Sequence, residues 1–285
     1  GSRPKPGCGL RSGMRRRARV ATMALAVLGL AALVGMAGCS SAGVGIRMPP
    51  LGAAPDYQLG EAYQPDAAVG ILVRDRSAEP DPERYSICYL NAFQTQPGER
   101  EEWPSDLLLD RDDTWVTDPA WPDEVLLDTS SAAQRDRISG VVSDWIGECA
   151  ASGFDAVEFD NLDSFTRSHG ALTFDDNLAL ARQLVASAHE HGLAAVQKNT
   201  AEHNAELRAD AGYDFVIAEE CAAYAECAVY AETYGEYVID IEYTDNAARP
   251  FTAACSDPAS PSSMVLRDRG LLAPAQPGHV FALCP

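Results

Sequence analysis

Residues 153–165 read GFDAVEFDNLDSF and place four acids within nine positions, with no base among them. An apolar alternation runs into these acids, so Ala156, Glu158 and Asp160 share one face of a strand. The same ending recurs along the chain. Lys198 closes LAAVQKN, Glu219 closes DFVIAEE, Asp240 and Glu242 close YVIDIEY, and Asn91 closes YSICYLN. If these strands run parallel, five strand ends deliver polar groups to a single rim. Two carboxylates on such a rim can act on a glycosidic bond. One protonates the departing oxygen while the other serves as nucleophile or base. The sequence has no Gly-rich phosphate turn, no paired C-x-x-C knuckle, no spaced histidine ligands and no Ser-His-Asp order. No cofactor and no metal is therefore expected.

Each of these residues has an ordinary structural alternative. A lone acid at a strand end is usually a turn or cap residue. Glu219 and Glu220 could open a helix, and Glu158 with Lys198 could be a buried structural ion pair. Asp163 and Ser164 read as caps, and His189 and His191 as solvated residues at a helix end. Tyr57, Tyr89 and Trp103 serve equally well as core aromatics or as sugar platforms. None of these readings accounts for charged endings on consecutive strands.

The elements that must position the rim are legible. Strand-like runs span 56–60, 69–75, 85–91, 155–161, 193–199, 214–220, 237–243 and 263–268. Helical runs lie between several of them. One, over 133–153, puts Ile138, Val141, Val142, Trp145 and Ile146 on one face and stops at Gly153. Another opens at Thr173 with acids in its first turn and closes at His189, His191 and Gly192. Eight strands interleaved with helices predict a single-domain α/β fold, a (β/α)8 TIM barrel over 55–285. Its chemistry would gather at the C-terminal ends of the strands.

The chain of 285 residues has a formal net charge of −20. Seven basic residues and no acid lie in residues 1–38, so the rest carries −27. That charge excludes nucleic acid as a partner and suits either solubility or a cationic partner. MRRRARV from Met14, followed by the apolar run Val20–Ala37, reads as a secretory signal over 14–38, with an uncleaved membrane anchor as the alternative. Ala37 and Gly38 before Cys39 resemble a bacterial lipobox, with Met36 where Leu is usual. That resemblance implies lipidation of Cys39 and an extracytoplasmic location, with membrane contact only through the lipid. Residues 1–13 read as an extension ahead of the natural start. The Gly-, Ala-, Ser- and Pro-rich stretch 39–54 reads as a flexible tether. An exported chain favours disulfides, and Cys221 with Cys227 and Cys255 with Cys284 are the preferred pairs. Cys88, inside a strand-like run, fits a simple buried thiol, and the pairing of Cys88 and Cys149 stays open.

The motifs together also resemble the endo-α-1,4-polygalactosaminidase family, glycoside hydrolase family 114. GFDAVEFDNLDSF resembles that family's G-C-D-G-V-E-P-D-N-V-D-G-Y, and ICYLNAFQ its I-C-Y-F-S-A-G. AAVQKNT, DFVIAEECAAYAEC and VIDIEY resemble its S-V-G-L-K-N-D, D-F-A-V-N-E-Q-C-x-x-Y-x-E-C and V-F-N-V-E-Y. Phe159, Ala218 and Glu220 stand where the family has Pro, Asn and Gln. The resemblance implies a barrel hydrolysing α-1,4-linked galactosamine polymers, a cationic amino-sugar polysaccharide. Asp160 would be nucleophile or base and Glu219 the acid. Tyr57, Asn91, Glu158, Asn161, Lys198 and Glu242 would bind substrate along the cleft, and Cys221 would pair with Cys227. Two alternatives stand beside this reading: a carbohydrate-binding barrel without turnover, and a hydrolase for another α-linked sugar.

Overall fold

The computed structural model describes residues 45–247 and 249–285. The signal segment, residues 1–13 and Cys39 lie outside the described residues. Eight parallel strands run in chain order: β1 (Ala54–Gln58), β2 (Val69–Asp75), β3 (Tyr85–Asn91), β4 (Ala156–Asp160), β5 (Ala194–Lys198), β6 (Phe215–Glu219), β7 (Val238–Tyr243) and β8 (Ser263–Arg267). A last strand, β9 (Phe281–Leu283), pairs antiparallel with β8. β1 and β8 lie side by side, so the sheet curls into a nearly closed TIM-type barrel.

Strand alternation sorts the core into two layers. Ile71, Val73, Ile87, Ala156, Val196, Phe215, Ile217, Ile239, Ile241 and Val265 fill the barrel. Leu90, Val157, Phe159, Val216, Val238 and Met264 face outward against the helices. Helix α1 (Ala132–Ser152) starts at Ser131, whose side chain accepts from Gln134 N–H, and ends at left-handed Gly153. It buries Ile138, Val142 and Ile146, while Val141 and Trp145 are partly covered at the edge. Helix α2 (Phe174–Glu190) opens with a capping box between Thr173 and Asp176.

Regular alternation of strand and helix fails at the start. The β1–β2 and β2–β3 links, LGEAYQPDAA and RSAEPDPER, carry no helix. They are short and hold Pro in a stretch with no apolar period, so no helical face exists to bury. The β3–α1 link is instead a long excursion over 92–131. It contains a small hairpin, and its Leu109, Val116 and Leu126 form an apolar cluster with Leu172.

Three expectations change. Cys88 is not a free thiol: it pairs with Cys149 and ties β3 to α1, because the outward-facing Cys88 meets Cys149 on the buried face of the helix. Cys221–Cys227 and Cys255–Cys284 form as anticipated. The C-terminal half of the expected tether is part of the fold. Ile46, Met48 and Ala53 pack against the barrel core, Tyr85 Oη donates to Arg47 O at 2.7 Å, and Arg47 pairs with Asp155 at 2.6 Å. His189 is not simply solvated, since its Nε2 lies 2.7 Å from Asp214 Oδ2. Among the described residues, no helix is long and apolar enough to cross a membrane.

The barrel seam is closed by a side chain. Arg267, fully buried on β8, donates to Asp56 Oδ1 (2.8 Å), Val280 O (3.0 Å) and Leu272 O (3.0 Å), and also to Tyr57 O. Asp56 additionally accepts from Gln58 and Tyr63. Removing the guanidinium strands a buried carboxylate. Arg267→Met is therefore expected to lose about 3–5 kcal/mol of stability, read from urea unfolding. A loss below about 1 kcal/mol would show that the seam holds without the pair.

Candidate active site

β4, β5 and β6 end on the same rim with inward-facing Asp160, Lys198 and Glu219, and each turns sharply immediately afterwards. Asn161 (φ +62°), Asn199 (φ +49°) and Glu220 (φ +62°) all take left-handed backbone. Such conformations cost free energy in residues with a Cβ and collect at functional sites. They stop each strand at its charged residue; the first turn reaches back to its own carboxylate and the second reaches across to that of the next strand. Asn161 N–H donates to Asp160 Oδ1 at 2.7 Å, and Asn199 Nδ2 donates to Glu219 Oε2 at 3.1 Å.

Lys198 is the centre. Its Nζ lies 3.2 Å from Asp160 Oδ1, 3.2 Å from Glu219 Oε2 and 3.7 Å from Glu158 Oε1, and its side chain is only 3% exposed. Each carboxylate also accepts from one tyrosine. Tyr89 Oη reaches Asp160 Oδ2 at 2.6 Å, Tyr243 Oη reaches Glu219 Oε1 at 2.5 Å, and Tyr57 Oη reaches Glu158 Oε1 at 2.7 Å.

The environments differ in what they do to each proton. Burial pushes the Glu158 carboxyl up, and Asp160 and Glu219 add to this against Lys198 and Tyr57, so its pKa stands at about 8. Burial also acts on Asp160, but there Lys198, Tyr89 and the Asn161 amide prevail and hold it below the ordinary range. Burial disfavours the Lys198 charge, and the three carboxylates more than offset it, so the ammonium persists. Burial and the neighbouring acids hold all three tyrosines far above their usual value, as O–H donors. Asp160 is therefore held as an anion beside Glu158, whose carboxyl keeps its proton at neutral pH.

Above this cluster opens a cleft of about 660 Å³. Its walls carry six carboxylates (Asp75, Asp118, Glu124, Asp160, Asp163, Glu219) against three cations (Arg167, Lys198, Arg269). Tyr57, Asn161, Lys198, Asp160 and Glu219 line it. Asn91 and Glu158 lie beneath its floor: Asn91 donates to Glu124 at 2.9 Å and accepts from Asn161 at 2.9 Å. Glu242 does not reach the cleft. Ile239, Ile241 and Tyr243 point into the barrel, so Asp240 and Glu242 point out of it. The rim residue of β7 is Tyr243. Trp103 is no platform either, being buried edge-on against Trp145.

Residues absent from the sequence reading complete the site. Tyr243 was accessible from strict alternation along its strand. Trp121, 51% exposed on the cleft wall, comes from the excursion, which has no period to announce it. Lys198, by contrast, was named from the sequence and carries a further signal there, being the only lysine after Lys5. One further cluster, Cys221, Cys227 and Asp240, has metal-like proximity, but its two sulfurs are joined as a disulfide.

The sequence profile of glycoside-hydrolase family GH114 matches residues 39–285. The Aspergillus fumigatus Ega3 complex with galactosamine superposes with a TM-score of 0.66 at 23% identity, covering 84% of this chain and 98% of that one. The glycoside hydrolase domain of PelA from Pseudomonas aeruginosa superposes with a TM-score of 0.56 at 15% identity, covering 80% and 98%. These likenesses establish the shared fold. No curated protein matches the sequence.

Glu158 gives a pH signature. Its carboxyl releases a proton near 8 in the folded protein and near ~4.3 once unfolded. Between these values the native state binds the extra proton, so this group's contribution to stability falls as pH rises through the window. Glu158→Gln is expected to remove that slope, leaving the variant at least as stable as wild type near the upper end. Melting curves of both proteins across the window check it, and parallel pH profiles would count against the assignment.

Proposed function

The chain belongs to glycoside hydrolase family GH114, and from this premise we propose that it cleaves within an α-1,4-linked, galactosamine-containing polysaccharide. The observation that carries the reading is the single ammonium of Lys198 held between Asp160 and Glu219 at the base of an acid-lined cleft. Asp160, kept anionic, attacks the anomeric carbon as the C1–O bond breaks. Glu219, the most exposed of the three carboxyls around Lys198, passes its proton to the departing glycosidic oxygen. It then takes a proton from the water that displaces Asp160.

Because each lies 3.2 Å from the same Nζ, Asp160 Oδ1 and Glu219 Oε2 are no more than twice that distance apart. The closeness of these two oxygens supports retention of the anomeric configuration over inversion, which uses carboxyl groups ~6.5–9.5 Å apart. The excess of carboxylates in the cleft supports a polymer bearing free amines, whose local concentration it would raise. The bound galactosamine of the Ega3 complex supports the same sugar. Three disulfides and the apolar segment ahead of Cys39 support an exported enzyme, lipid-anchored through that residue.

Asp160→Asn and Glu219→Gln are each expected to cost ~10²–10⁴-fold or more in turnover of deacetylated galactosaminogalactan. Both should stay folded, since Lys198 keeps two of its three carboxylate contacts in either variant. Stable variants that cleave at the wild-type rate would overturn the assignment. Proton NMR of the first-formed reducing ends should show the α-anomer, and initial β-anomer would refute retention.

The cleft charge makes a separate statement about salt. Screening shortens from ~10 Å at 0.1 M to ~3 Å at 1 M, so KM for the cationic polymer should rise across that range while kcat changes less. A constant KM would assign the acidic walls to solubility alone.

A further inference from the structure

Two buried acids take no part in the cleft. Asp240 and Glu242 stand on the outer face of β7, and Asp240 Oδ2 has no hydrogen-bond partner. Burial and the adjacent Glu242 hold the Asp240 carboxyl well above its ordinary range. Burying polar groups this way is costly unless they are used, and their other oxygens have a specific use.

Glu219 is the last residue of β6, and the chain leaves it through left-handed Glu220. Glu220 N–H donates to Ile241 O at 2.9 Å. Cys221 N–H then donates to Asp240 Oδ1 at 3.0 Å. Ala222 and Ala223 N–H both donate to Glu242 Oε1, at 2.9 and 3.3 Å. Four successive amides after Glu219 are thus held by one neighbouring strand. The helical turn they enter, Cys221–Tyr224, is four residues long and cannot satisfy its own opening N–H groups. The Cys221–Cys227 disulfide fixes the far side of the same loop.

We propose that Asp240 and Glu242 are positioning residues for Glu219, anchoring from outside the barrel the backbone from which the proton donor projects. The proposal rests on Glu219 being that donor. Side-chain bonds to Tyr243, Asn199 and Lys198 orient its carboxyl, whereas the amide anchors set where the side chain originates. Displacing a catalytic group by about 1 Å can cost roughly 10²-fold.

The test uses leaving groups. A short α-1,4-linked galactosamine oligomer ending in a sugar needs its departing oxygen protonated, and the same oligomer carrying a nitrophenolate leaving group does not. In Glu242→Leu, kcat/KM for the sugar leaving group should fall roughly 10²-fold while that for the nitrophenyl oligomer stays close to wild type. Glu242→Gln, which keeps an acceptor oxygen, should restore the first value. Equal losses on both substrates, or no loss on either, would overturn the proposal. If Glu242→Leu does not fold, Asp240→Ala, which frees only the Cys221 amide, carries the same comparison. Glu219→Gln serves as the reference. The leaving-group split in Glu219→Gln without one in the anchoring variants refutes positioning alone. Its absence from Glu219→Gln refutes the donor assignment, and the positioning proposal with it.

Discussion

A single ammonium in the barrel mouth sets the terms for everything around it. Lys198 is almost wholly buried, and an isolated lysine in that place would give up its charge. Three carboxylates prevent this, and they in turn repel one another. The conflict is resolved unequally: Asp160 stays ionised, with Lys198, Tyr89 and a backbone amide on it, while Glu158, deepest and with one oxygen unpartnered, retains a proton. The tyrosines serve this arrangement because burial keeps them protonated, so each offers a hydrogen rather than another negative charge.

Lys198 and Arg267 show two uses of a buried cation in one barrel. Arg267 closes the seam between β8 and β1. Its planar fork suits that task, reaching a carboxylate and three carbonyls in fixed directions. Lys198 presents a compact charge, which three carboxylates can share without a fixed plane. The first arrangement is fully satisfied and structural. The second leaves Glu219 partly open to the cleft.

The cleft walls come from elsewhere. The excursion between β3 and α1 contributes Asp118, Trp121 and Glu124, and Arg167 from the β4–α2 link pairs with Asp118 at 2.6 Å and Asp163 at 2.9 Å. The carboxylates around Lys198 thus rest on the sheet, while much of the cleft wall rests on connecting segments. Barrels commonly divide these tasks so, because loops can vary without disturbing the strand register.

Alternation and local punctuation made all eight barrel strands, helices α1 and α2 and the rim positions of Asp160 and Glu219 legible in the sequence, since each depends on neighbours within a few residues. The inward face of β4 followed from period two, and Asp160 with it. What the chain order could not convey was which distant groups meet. Cys88 finds Cys149 across 61 positions, and Arg267 finds Asp56 only when the barrel closes. Proximity to a strand end suggested Glu242 for the cleft, but pleat direction put Tyr243 there and turned Glu242 toward the backbone of the next loop. The protonation pattern lay furthest from the sequence. Whether a carboxyl keeps its proton depends on water excluded and charges approached, and only the folded barrel brings Lys198 within reach of three acids from two other strands.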